Sequence, residues 1–157
     1  MTEETQIKKT KTVKKDFIFA VGRRKSAVAR VRLYKSVKAD LAWGEVAVKK
    51  GDILVNGKLI SEYFSGEVSK NLYLEPLKIT NTQSNFAFTI KVAGGGPAGQ
   101  LDAVIAGISN ALDTLDTEKH RPILKKKGLL SHDSRVRQRR KVGMGGKSRR
   151  KRQSPKR

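Results

Sequence analysis

The sequence predicts a single α+β domain, with an antiparallel or mixed sheet packed by helices and a basic arm at each end. Three observations predict it. FAFTIKV (86–92) alternates, placing Phe86, Phe88, Ile90 and Val92 on one side and Ala87, Thr89 and Lys91 on the other, as a strand with one packed face requires. After a glycine-rich loop, Leu101, Val104, Ile105, Ile108, Leu112 and Leu115 recur at helical spacing and form one apolar stripe. The chain has 157 residues, enough for one core and too few for two. Apolar periodicity sets the expected organisation: a mobile basic arm at 1–15, a globular domain at 16–130 and an extended basic tail at 131–157.

Taken in order, FIFAVG (17–22) and SAVARVRL (26–33) are rich in β-branched and aromatic residues and predict two strands joined by a basic turn, Arg23-Arg24-Lys25. The second strand points Ala27, Ala29, Val31 and Leu33 one way and Arg30 and Arg32 the other, so one face can pack while the opposite face presents guanidiniums. Residues 34–52 read either as a long loop or as an extra hairpin closing at Trp43-Gly44. ILVNGK (53–58) predicts a short strand ending in an Asn56-Gly57 turn, with Ser61 as cap of a short helix holding Tyr63 and Phe64. Pro76 is expected to limit helix beyond Glu75. Past the long helix, a shorter one around Pro122–Lys127 should end at Gly128, with lysines where the helix dipole favours them.

Charge bounds the function. Thirty-five Lys and Arg stand against 14 Asp and Glu, a net of +21. Residues 134–157 carry 12 of those cations and no acid, which leaves 23 cations and 14 acids, +9, for residues 1–133. A surplus so placed points to a polyanion. An anionic membrane surface fits poorly, because VRQRRKVGMGGKSRRKRQSPKR has almost no apolar stripe to insert. The chain has no cysteine, and His120 and His132 lack partners at ligand spacing, so neither disulfide nor metal site is expected. The opening residues have no apolar core like a signal peptide's, and no run approaches membrane-spanning length, so a cytoplasmic location is the expectation.

GGGPAGQ (94–100) is spelled like the dinucleotide fingerprint, with Gly94, Gly96 and Gly99 between a strand and a helix. Its context fails that reading. About 20 residues on, where the fingerprint needs an acid at the end of the next strand, the chain is still helical, and Gly99-Gln100-Leu101 lacks the Gly-Lys-Ser/Thr ending of a phosphate-binding loop. Two further readings stay open: a tight turn closing strand onto helix, and a bare backbone surface pressed against nucleic acid with phosphate at the helix N-terminus. No nucleophile and base stand in a catalytic arrangement, and no cofactor is expected.

The tail favours RNA. A dozen cations on a short arm bind polyanions by counterion release without reading sequence. Gly143, Gly145 and Gly146 allow sharp turns, and arginine adds bidentate phosphate contacts and base stacking, which suit irregular folded RNA better than a uniform duplex. Aromatic content is low, and the aromatics of FAFTIKV belong to the buried face, so a base-stacking sheet of the RNA-recognition type is not expected. Charge alone would also suit a DNA-compacting protein.

VGRRKSAVARVRL (21–33), ILVNGK with the following Tyr63-Phe64, the PL-x-x-T segment (76–80), KVAGGGPAGQ (91–100), AVIAGISNAL (103–112), GLLSHDSR (128–135) and the end from RRKVG to QSPKR together resemble the bacterial form of the small-subunit ribosomal protein nine family. The resemblance runs in order from about residue 17 to the last. It implies a structural RNA-binding protein of the subunit head, not an enzyme, whose fold is similar to the second domain of ribosomal protein five. It implies further that the globular part packs on rRNA beside other head proteins, and that the tail threads through rRNA to the anticodon stem-loop of the peptidyl-site tRNA. The tRNA contact then falls on Lys156 and Arg157. Candidate rRNA contacts are Arg23, Arg24, Lys25, Arg30, Arg32, Gly94, Gly95, Gly96, Gln100, Arg135, Arg137, Arg139, Arg140, Lys141, Lys147, Arg149, Arg150, Lys151 and Arg152. Two departures stand out. Members commonly end Gln-Phe-Ser-Lys-Arg, whereas this chain ends Gln153-Ser154-Pro155-Lys156-Arg157, and residues 36–52 are longer than the usual turn there.

Overall fold

In β1 (Phe17–Arg24) and β2 (Ala27–Tyr34) alternating apolar residues pair antiparallel from Phe17↔Tyr34 to Arg24↔Ala27. The computed structural model describes residues 17–36, 42–43 and 46–139, so the arm at 1–15 and most of the tail lie outside the described residues. The turn between the strands differs from expectation: Arg23 and Arg24 complete β1, and Lys25-Ser26 alone make the reversal, with Lys25 at φ 53. The two-residue turn follows from a register that keeps pairing up to Ala27.

The segment after β2 forms the hairpin alternative, β3 (Ala42–Trp43) against β4 (Val46–Ala47), paired Trp43↔Val46. β5 (Ile53–Val55) and β6 (Lys58–Leu59) enclose Asn56-Gly57, whose φ values of 49 and 84 are those of the mirror-image turn that Asn-Gly favours. Asn56 does more than turn. Its side chain donates to the Val92 carbonyl at 3.1 Å and accepts from the Val92 N–H at 2.9 Å.

α1 (Ile60–Tyr63) starts directly from β6, and Ser61 sits inside it rather than capping it; the N-cap is Leu59, without a side-chain bond. α2 (Glu67–Ile79) runs through Pro76 instead of stopping before it. Pro76 lies in the last turn, where its missing N–H removes a single ladder bond, and burial of Tyr73, Pro76 and Leu77 offsets that loss. The Thr80 hydroxyl donates to the Pro76 carbonyl at 2.8 Å and closes the helix end.

β7 (Ala87–Ala93) pairs antiparallel with β2 and parallel with β5, so the five-stranded sheet has the order β1-β2-β7-β5-β6 and is mixed. α3 (Pro97–Leu115) follows with Pro97 in its first turn, and α4 (Thr117–Lys126) begins five residues before the sequence suggested, because the Asp116 carboxylate accepts from the Lys119 N–H at 3.3 Å as its cap. Gly128, at φ 74, ends that segment as expected.

The inner sheet face meets α3. Ala27, Ala29, Val31, Leu33, Phe88 and Ile90 are buried there against Leu101, Val104, Ile108 and Leu112. Contact is closest where α3 crosses β1: a Cβ on Gly22 would lie 1.9 Å from the Ala103 carbonyl oxygen, so only glycine lets the two backbones approach this far. A smaller cluster on the outer face, Tyr34, Val48, Leu54 and Ala87 with Phe17, Trp43 and Val46 against it, is roofed by the β3–β4 hairpin. This roof explains why Ala87 and Thr89 are buried, although alternation assigns them to the side opposite Phe88.

Candidate nucleic-acid interface

The β1–β2 turn and the glycine loop meet at one end of the sheet. Gly94 and Gly95 have φ of 75 and 68, and a Cβ on either would press on the neighbouring hairpin, at 2.5 Å from the Ser26 carbonyl oxygen and 2.9 Å from the Ala27 Cβ. Close approach to that turn therefore accounts for these two glycines. Gly96 differs: its backbone is extended and a Cβ there meets nothing within 4 Å. Gln100 braces the loop, donating to the Gly94 carbonyl and accepting from the Tyr63 hydroxyl, both at 3.0 Å. The loop remains exposed, and the first turn of α3 holds neither an acid nor a side-chain cap, so the positive end of the helix dipole is uncompensated beside Lys25.

Arg23 and Arg24 separate because neighbouring strand residues point to opposite faces. Arg23 is exposed. Arg24 turns inward and is held by protein groups: its guanidinium pairs with Asp133 at 3.1 Å and Asp102 at 3.6 Å, and donates to the carbonyls of Asp133 at 3.2 Å and Arg135 at 2.8 Å. Only 14% of its side chain is accessible. Arg24 thus fastens the start of the basic tail to the domain instead of standing open to a polyanion. Asp133 also receives the Arg135 guanidinium and backbone N–H. These bonds, those of the Arg135 side chain foremost, hold the Asp133 carboxyl well below its ordinary value of 3.8. Arg137 and Arg139 are exposed beyond this clamp.

Arg30 and Arg32 project from the outer face of β2, as alternation requires, and both are exposed. Arg32 lies over the Phe17 ring, 5.0 Å from its centroid. Across the strands Arg30 stands opposite Lys91, and Arg32 opposite Thr89 and Phe19. Lys91, Phe19 and Trp43 were not singled out by sequence. The alternation of β1, which sends Ile18 and Ala20 inward, is the signal that places Phe19 among the cations. Arg140, Lys141, Lys147, Arg149, Arg150, Lys151, Arg152, Lys156 and Arg157 lie outside the described residues.

Fold and surface together define a basic α+β protein with exposed cations on the outer sheet face and at the sheet end where the β1–β2 turn meets the glycine loop. Among the described residues no group of His, Cys, Asp and Glu is placed to hold a metal ion, and no helix is long and apolar enough to cross a membrane. Residues 22–157 match the model of the family described as Ribosomal protein S9/S16. The chain is 43% identical to the small ribosomal subunit protein uS9 of Maridesulfovibrio salexigens, over 84% of this chain and 91% of that one. It is 41% identical to the uS9 protein of an Anaeromyxobacter species, over 80% and 86%, and 37% identical to that of Leifsonia xyli, over 80% and 67%. The chain belongs to the ribosomal protein S9/S16 family. It is a ribosomal protein and not an enzyme.

Proposed function

We propose that this protein is a structural constituent of the small-subunit head, that its domain holds rRNA, and that its tail contacts the anticodon stem-loop of peptidyl-site tRNA. The observation that carries the reading is the family match through residue 157, which spans both the domain and the basic tail. The physical arrangement supports it. Lys25, the exposed glycine loop and the α3 N-terminus make one anion-attracting end, suited to backbone phosphates. Arg30, Arg32 and Lys91 make a second basic surface on the open sheet face. The tail, with 12 cations and no acid in residues 134–157, supplies the charge for passing between packed RNA helices, with Lys156 and Arg157 at the tRNA. Neighbouring head proteins are the remaining partners, and the domain is taken to share its plan with the second domain of ribosomal protein five.

Deletion of residues 149–157 tests the division of labour. The truncated protein is expected to co-sediment with the small subunit, while initiator tRNA binding in the peptidyl site weakens about tenfold, the scale of one lost charge-assisted contact of about 1.5 kcal/mol. Loss of the truncated protein from the subunit would overturn the assignment of anchoring to the domain. Unchanged tRNA binding would overturn the role of the tail.

A further inference from the structure

The open part of the outer sheet face combines features that backbone-phosphate binding alone does not require. A cavity of about 320 Å³ is lined by Phe19, Arg30, Arg32, Trp43, Thr89 and Lys91. Phe19 is 49% exposed at the surface of a strand whose other aromatic, Phe17, is partly buried. Trp43 reaches the same cavity from the hairpin.

Two of the charges on this face are placed against the interest of the isolated fold. Arg30 and Lys91 are direct cross-strand partners, a like-charge pairing that destabilises a sheet. No acid occupies the outward positions of β1, β2 or β7 to relieve it: these are Phe17, Phe19, Val21 and Arg23, then Val28, Arg30, Arg32 and Tyr34, then Ala87, Thr89, Lys91 and Ala93. A polyanion bound across the pair removes the repulsion. The exposed ring of Phe19 and the partly buried ring of Trp43 add what a base needs and a phosphate does not: every base has a flat face, and stacking on an aromatic side chain is the usual way proteins hold an unpaired nucleotide.

The geometry points to a binding site for an unpaired RNA nucleotide on this face, its base stacked on Phe19 or Trp43 and its phosphate held by Arg30 and Lys91. The proposal rests on the RNA-binding reading above and deepens it, assigning base stacking to a sheet that the sequence, from its few aromatics, marks as no stacking platform; the exposed Phe19 is what departs from that expectation.

Trp43 is the sole tryptophan of the chain, so its emission reports this site directly. Full-length protein is titrated with a short fluorescein-labelled oligouridylate, read by anisotropy, and in parallel with the unlabelled oligomer, read by Trp43 emission. Inorganic polyphosphate and polyglutamate serve as anions without bases. The expected result is a saturable change in Trp43 emission with oligouridylate and none with either control. Phe19→Leu, which keeps an apolar residue at the position, is expected to weaken the Trp43-reported binding about tenfold, within the range measured for one lost stacked base. If anisotropy rises while Trp43 emission stays constant, RNA is bound elsewhere and the site is refuted while the broader reading stands. If polyglutamate changes the emission as the RNA does, the face binds acidic protein and the proposal fails. If anisotropy does not rise at all, the RNA-binding reading falls and the site falls with it.

Discussion

The two faces of the β1-β2-β7 sheet come from the same short strands and obey opposite rules. The inner face is apolar and dry: Ala29, Val31, Leu33 and Ile90 are inaccessible, and α3 lies so close that Gly22 touches its backbone. The outer face has a hydrophobic cluster only under the hairpin, and elsewhere presents Arg30, Arg32 and Lys91 with Phe19 among them. On the inner face each residue is set by what it packs against, and each large side chain fully buried contributes about 1.5–3 kcal/mol. On the outer face the like-charge pair Arg30–Lys91 and the exposed ring of Phe19 work against the isolated fold, so their explanation lies in something the fold meets. The contrast divides the molecule into positions that answer to stability and positions that answer to binding.

The largest effect is expected on the inner face. Gly22→Val drives a branched side chain into the Ala103 carbonyl and the Gly107 amide, both backbone groups that cannot move aside without shifting α3. A loss of about 3 kcal/mol or more is expected, read as a lower midpoint in urea unfolding or as failure to fold. A substitution tolerated within 0.5 kcal/mol, a bound set by ordinary surface changes, would show that α3 and β1 are not held in contact.

The next effect comes from a pair of adjacent arginines that the faces separate. Arg24→Gln removes the charge that Asp102 and Asp133 share and the donors to the carbonyls of residues 133 and 135. About 1 kcal/mol of stability should be lost, discounted because both carboxylates are partly solvated, and protease cleavage after Arg135 should quicken. Arg23→Gln should leave the urea midpoint unchanged and lower RNA affinity instead. Equal effects from the two would dissolve the distinction between faces at this end of the sheet.

Much of this division was legible in the residues. Alternation in SAVARVRL separated the packed Ala27, Ala29, Val31 and Leu33 from Arg30 and Arg32, and the stripe from Leu101 to Leu112 located the helix that covers them. Asn56-Gly57 announced its turn. What escaped had long-range causes. α2 continues through Pro76 because packing outweighs one missing bond, which propensity does not register. Arg24 looked like its neighbour until the chain brought Asp133 across from 109 residues away. The outer cluster under the hairpin, and with it the burial of Ala87 and Thr89, depends on which loop folds over which strand. Phe19 and Trp43 joined Arg30 and Lys91 only once strand order was fixed, since β7 lies beside β2 through a pairing of residues as far apart in sequence as Val28 and Ala93.

The smallest effect carries the sharpest test, because stability and binding are expected to move in opposite directions. Lys91→Gln keeps an extended polar side chain and removes one member of the Arg30–Lys91 pair. Relief of that repulsion should raise the urea midpoint of the isolated protein by a few tenths of a kcal/mol, within the range known for cross-strand pairs of about 0.2–1 kcal/mol. The same change should weaken single-stranded RNA binding. The slope of log affinity against log salt should become shallower by about 0.7, the value for one phosphate contact on a single strand. A lysine serving only the fold would show the reverse, with stability falling and the slope unmoved. A residue whose removal improves the free protein and impairs the complex is one held in place by its partner, and that pattern at Lys91 would mark the outer face as a surface shaped by RNA.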